Sequence, residues 1–124
     1  MRVVQGIITS VFGMRMHPIL KVLKMHNGVD ISAPTGTPVY CPADGRVVSA
    51  GFTESGGDHV HVQSGTLTFV FMHLSARSVT QSQIIAKGQQ IGLVGSTGMS
   101  TAPHLHFEVR LNHTPINPMQ YIEF

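Results

Sequence analysis

Tryptophan is absent from this 124-residue chain, and cysteine occurs once, as Cys41. A lone cysteine closes no internal disulfide and supplies no thiolate metal cluster. Set between Tyr40 and Pro42, it reads as a small buried hydrophobe rather than a nucleophile. Aromatic residues make up 6% of the chain and charged residues 11%, with no Lys/Arg run interleaved with aromatics, so a stacking platform for nucleic acid has no material. No apolar run reaches the roughly 18 residues that a membrane span needs, which predicts a soluble domain. The stretch from Met1 to Met14 is interrupted by Gln5, Gly6, Thr9 and Ser10 and has no A-x-A-like site after it. It does not read as a signal peptide, so export would depend on an upstream segment or another route.

Histidine is what the chain has in excess, with eight residues. It is the commonest neutral metal ligand and the side chain that titrates near neutrality. The formal charge of +2 and sequence pI ≈ 9.0 favour an anionic surface without implying nucleic acid. The length suits one domain, spanning residues 1–124.

Gly and Pro recur every few residues, and the segments between them are short, β-branched and alternating, which predicts an all-β domain. The candidate strands are 37–40, 45–52, 58–63, 66–73, 90–94 and 104–111, with 80–87 the only stretch suited to a helical turn or a loop. The expected architecture is a compact antiparallel two-sheet or barrel-sandwich-like domain with a polar cleft, the place for a metal site, on one sheet face. That cleft follows from the last strand: Leu105, Phe107, Val109 and Leu111 share the core face, and His104, His106, Glu108 and Arg110 share the other. Histidines two apart on a strand have Cα atoms about 6.6 Å apart, so their rings can converge on one small volume.

His26-Asn27-Gly28-Val29-Asp30 sets a histidine and a carboxylate four apart, and Asn-Gly followed by Val29 and Ile31 argues for a tight turn leading into a strand. Zinc takes tetrahedral N and O ligands, and a catalytic site keeps three protein ligands and an open fourth position. Two histidines and a carboxylate meet that requirement. His106 is the candidate third ligand, since His104-Leu105-His106 offers one imidazole for metal and one for water. His59-Val60-His61 repeats the H-x-H pattern and is a rival pair, with Asp58 the only carboxylate near it.

The order of motifs resembles a known family. Phe12-Gly13-Met14-Arg15-Met16-His17-Pro18, His26-x-x-x-Asp30, Pro34-x-Gly36-Thr37-Pro38-Val39 and Ala43-Asp44-Gly45-x-Val47 are similar to the lysostaphin-type, or LytM-type, zinc endopeptidases of bacterial cell walls. Met72-His73-Leu74-Ser75, Lys87-Gly88-Gln89-x-Ile91-Gly92, Gly95-Ser96-Thr97-Gly98 and Ser100-Thr101-x-Pro103-His104-Leu105-His106-Phe107-Glu108 continue the match over nearly the whole chain.

The resemblance implies one zinc ion per chain on His26, Asp30 and His106, with His73 and His104 acting in catalysis. It also implies peptidoglycan stem peptides or cross-bridges as substrate, at the cell envelope or outside the cell. Phe71 stands where the family usually has tyrosine. Asp58-His59-Val60-His61-Val62-Gln63-Ser64-Gly65 departs from the family's G-N-x-V-x-I-x-H-G. With no H-E-x-x-H in the chain, the glutamate base of the thermolysin-like design is missing and imidazoles serve instead.

Other conspicuous residues read as structural. Gly95-Ser96-Thr97-Gly98 lacks a P-loop lysine and is a loop lining the cleft. Arg15 and His17 suit a groove wall, His113 a solvent turn and Asp44 an Asp-Gly turn. Glu108 is placed to hydrogen-bond a site imidazole. Two other functional classes are a non-catalytic wall-binding or hydrolase-activating domain of the same fold, and a biotinyl- or lipoyl-type carrier suggested by Lys87-Gly-Gln-x-Ile-Gly. The first is disfavoured by the complete ligand and catalytic set, the second because Lys24-Met25 supplies only half of a Met-Lys-Met.

Overall fold

The computed structural model describes residues 2–16 and 21–121, so His17 lies outside the described residues, as does the side chain of Arg15. The strands are β1 (Ile7–Ser10), β2 (Gly13–Met16), β3 (Leu23–His26), β4 (Val29–Ser32), β5 (Pro38–Tyr40) and β6 (Gly45–Thr53). They continue with β7 (Gly57–Ser64), β8 (Leu67–Arg77), β9 (Ile84–Ile85), β10 (Gln90–Val94), β11 (His104–Leu111) and β12 (Thr114–Ile116). Among the described residues the only helical element is a single 3-10 turn, Pro118–Gln120, and no helix is long and apolar enough to cross a membrane. The stretch 80–87, read above as a helical turn or loop, instead holds a turn and the two residues of β9.

The expected all-β architecture forms as a branched ten-stranded sheet and a two-stranded ribbon, β2 with β3. The main path runs β1-β4-β11-β8-β7-β6-β9, with β10 joining β8 to β5 and β12 on the edge of β11. Every strand pairing among the described residues is antiparallel. The end of β11 that carries the histidines lies between β4 and β8, with His106 opposite Asp30 on one side and Met72 on the other.

Alternation decides which side of this sheet is dry. Leu105, Phe107 and Val109 are fully buried and join Val29, Ile31, Val60, Val62, Phe69 and Phe71 in one core. The Phe107 ring lies 5.2 Å from that of Phe71 and 6.2 Å from that of Phe69. Phe71, the departure from the family's tyrosine, therefore falls in the core and not in the cleft. The core residues anchor the strands, and their odd-numbered alternation on β11 forces His104, His106, Glu108 and Arg110 onto the opposite face.

Period two fails at one place that matters. Val60 pairs with Phe71 and Asp58 with Leu74, so three residues of β8 span what two span on β7. An unbroken strand would send His73 to the core beside Phe71 and turn Leu74 outward. The bulge, with His73 at φ 65°, reverses this: Leu74 is fully buried and His73 faces the cleft.

Candidate active site

His26 ends the β2–β3 ribbon, and Asp30 lies four residues on, in β4. The turn between them crosses directly over β11. A Cβ on Gly28 would clash with the carbonyl oxygen of Phe107 and lie 2.9 Å from Cγ of Glu108, so only glycine permits this approach. The result is a three-residue cluster. One ligand atom each from His26, Asp30 and His106 lies within 4.8 Å of the others. Nδ1 of His106 is 2.7 Å from Oδ1 of Asp30, and Nε2 of His26 is 3.2 Å from Oδ2.

Each imidazole is held from behind. Nδ1–H of His26 donates to the Val11 carbonyl at 2.9 Å, which leaves Nε2 as the nitrogen directed at Asp30. His106 faces two acceptors, Asp30 through Nδ1 and Oε2 of Glu108 through Nε2 at 2.8 Å. Glu108 is buried at 4% exposure, and its other oxygen accepts from Nε and Nη2 of Arg110 at 2.9 and 2.8 Å. A carboxylate behind a ligating histidine fixes the ring and strengthens it as a ligand.

Electrostatics follow from these contacts. Burial alone would depress the His106 pKa, but the hydrogen bonds and charges of Asp30 and Glu108 outweigh it and push it up to about 9. Burial opposes ionisation of Asp30, yet the hydrogen bond from His106 and the charges of His106, His26 and His104 hold its carboxyl below the usual range. Two imidazoles and a carboxylate with converging donor atoms are the set that zinc takes, so the residues present fit the metal.

His73 and His104 stand beside this cluster, their ring centroids 4.8 Å apart. Nδ1–H of His73 donates to the Thr97 carbonyl at 2.7 Å, and Nδ1–H of His104 to the Ala102 carbonyl at 2.9 Å. Both rings thus keep Nε2 for the cleft, that of His104 lying 3.8 Å from Oδ1 of Asp30. Burial, with the nearby His104 and His106, lowers the pKa of His73 despite the Thr97 bond, so its ring is neutral at neutral pH. All five residues line a cleft of about 380 Å³ with Ser55, Gly56, Met72 and Met99. A larger depression of about 640 Å³, between Arg46, Gln63 and Ile84, contains no histidine, so size does not mark the site here.

A match to the model of Peptidase family M23 covers residues 24–118, from just before His26 to beyond β12. The chain belongs to peptidase family M23. It is 45% identical over 113 residues to the DD-carboxypeptidase/endopeptidase Mpg of Neisseria meningitidis serogroup B, covering 90% of this chain and 26% of that protein. Against the peptidoglycan DD-endopeptidase ShyA of Vibrio cholerae it is 42% identical, over 86% of this chain and 25% of the relative. The chain therefore spans about a quarter of the length of these curated relatives. Among solved structures, the catalytic domain of lysostaphin from Staphylococcus simulans superposes with a TM-score of 0.83 at 35% identity, covering 94% of this chain and 91% of that one. A zinc-containing peptidase from Vibrio cholerae superposes at 0.86 with 33% identity, over 95% of this chain and 40% of that one.

In this M23 domain the rival histidines have other partners. His59 is buried, with Nδ1 3.3 Å from the Gly57 carbonyl and Nε2 3.3 Å from the Ser49 hydroxyl. Burial and the neighbouring His59 and Arg110 push the pKa of His61 down to about 4. Asp58, the carboxylate nearest them in sequence, pairs with Arg77 at 2.9 Å. Among the described residues, His26, Asp30 and His106 are the one group of three that meets metal-ligand spacing. Replacing both His59 and His61 with Ala is accordingly expected to leave the zinc content near one per chain. Elemental analysis showing the metal lost would move the site to β7.

Proposed function

We propose that residues 1–124 form one catalytic domain, which hydrolyses peptide bonds in peptidoglycan stem peptides or cross-bridges, with zinc held by His26, Asp30 and His106. The observation that carries this reading is the convergence of those residues with His73 and His104 on one cleft. Zinc in that set supplies Lewis-acid polarisation of the scissile carbonyl and acidifies water.

The rest is the work of side chains. Nε2 of His104, the ring nitrogen left to the cleft by the bond from Nδ1–H to Ala102, accepts a proton from the attacking water, and Nε2 of His73 faces the same space. An imidazole protonated in this way hydrogen-bonds the developing oxyanion and then transfers that proton to the leaving amine. Glu108 keeps the His106 ring in place throughout.

An extended substrate fits the shape. A second depression of about 240 Å³, lined by Thr9, Ser32, Ala102 and Pro103, shares Asp30, Thr101 and His104 with the first, so a chain crossing the histidines has room on both sides. The name of the Vibrio relative, a peptidoglycan DD-endopeptidase, supports a cell-wall substrate and, with it, activity at the envelope or outside the cell. The test is digestion of purified sacculi carrying either Gly-Gly bridges or D-Ala-to-diamino-acid cross-links, with fragments identified by mass spectrometry. The expected result is zinc-dependent conversion of cross-linked dimers to monomers from at least one type. Binding to sacculi with no new termini from either type would overturn the proposal.

A further inference from the structure

We infer that Thr97, in the loop between β10 and β11, is a positioning residue that sets the tautomer and aim of His73. The inference rests on His73 handling protons at Nε2, and it begins from a strained backbone. His73 holds φ 65°, a left-handed conformation that non-glycine residues seldom adopt, so its surroundings must impose it.

The surroundings are a single knot around Thr97. The His73 amide donates to the Gly56 carbonyl at 2.7 Å, and the ring Nδ1–H donates to the Thr97 carbonyl at 2.7 Å. That carbonyl is itself fixed by the Thr97 side chain. The hydroxyl donates to the Leu74 carbonyl at 2.6 Å and accepts from the Asp58 amide at 3.0 Å, so it ties together the two strands of the bulge. The packing admits no slack, because a Cβ on Gly57 would lie 2.4 Å from three atoms of Thr97, and one on Gly98 would lie 2.7 Å from Cα of Gly57. Gly57 and Gly98 also hold φ 66° and 74°, where glycine is favoured. One hydroxyl thus bridges β7 and β8 where His73 is turned out of the core, and the adjacent carbonyl fixes which ring nitrogen bears hydrogen.

Thr97→Val keeps the shape and removes both hydroxyl bonds, and Thr97→Ser keeps the hydroxyl. Long-range ¹H–¹⁵N spectra of the metal-free wild type are expected to show His73 as the Nδ1–H tautomer. In the valine variant the Nε2–H form should appear, and zinc content should not change. In the zinc-loaded valine variant, kcat is expected to fall about ten- to a hundredfold, the scale of a misplaced reacting group, with KM within about twofold. Serine should restore both the spectrum and kcat. A wild-type His73 in the Nε2–H form would overturn the inference, and that measurement needs no variant to fold. So would a valine variant that loses only thermal stability and keeps tautomer and kcat. Full turnover in His73→Ala would instead remove the catalytic role of His73 while leaving the Thr97 tautomer result standing.

Discussion

Replacing His106 with Ala should cost the protein its zinc and, with it, all turnover. Three protein ligands become two, and the change leaves Glu108 buried with only Arg110 as partner. The loss of affinity should exceed the roughly 10–100-fold seen when a partner behind a ligand is removed. The same ring predicts a pH dependence. Flanked by two carboxylates, His106 of the metal-free protein stays protonated up to about 9, whereas Asp30 is ionised throughout this range. Zinc must displace the His106 proton, so the apparent affinity should rise about tenfold per pH unit up to that value and then level off. Calorimetric titration in buffers of different ionisation enthalpy reads the released proton directly. A His106→Ala protein that retains one zinc, or an affinity flat from about pH 6 to 9, would contradict the ligand assignment.

The last strand was readable because its alternation holds over most of its length: residues 104–111 form β11, with Leu105, Phe107 and Val109 in the core as expected, while Leu111, expected beside them, is exposed at the strand's end. The ribbon that delivers His26 was not readable. Leu23-Lys24-Met25 is exposed on every residue, so no dry face leaves a period in the sequence. Candidate strand 66–73 stopped short of Arg77 for another reason, since the bulge at His73 reverses inside and outside halfway along β8. Spacing alone showed that His26 and Asp30 share a turn and that His104 and His106 share a face. Their meeting depends on Asp30 pairing with His106 across β4 and β11, a long-range register that no local pattern encodes. His73 came only from the family resemblance, because simple alternation points it into the core. Thr97 carried no sequence signal beyond its place in a glycine-flanked loop.

The second large effect separates chemistry from metal binding. His104 and His106 sit two apart on the same face of one strand, so composition and burial cannot tell them apart, but their partners do. Nδ1 of His106 meets Asp30 at 2.7 Å and its other nitrogen is fixed by a carboxylate, whereas Nε2 of His104 stands 3.8 Å from Asp30 and its Nδ1 is held by a backbone carbonyl. A ring held by a carbonyl at Nδ1 and open to the cleft at Nε2 suits proton transfer. His104→Ala should therefore keep about one equivalent of zinc while turnover falls about 10²–10⁴-fold, the range for a general acid–base group. His73→Ala should behave in the same way, because its Nε2 reaches the same cleft from β8. Zinc content by elemental analysis and kcat on a cross-linked muropeptide, measured on one preparation, decide the matter. If His104→Ala lost the metal while His106→Ala kept it, the two rings would have exchanged roles. The cleft would survive that result, but proton transfer through His104 would not, because a ring that binds the ion through Nε2 has no lone pair left to accept a proton.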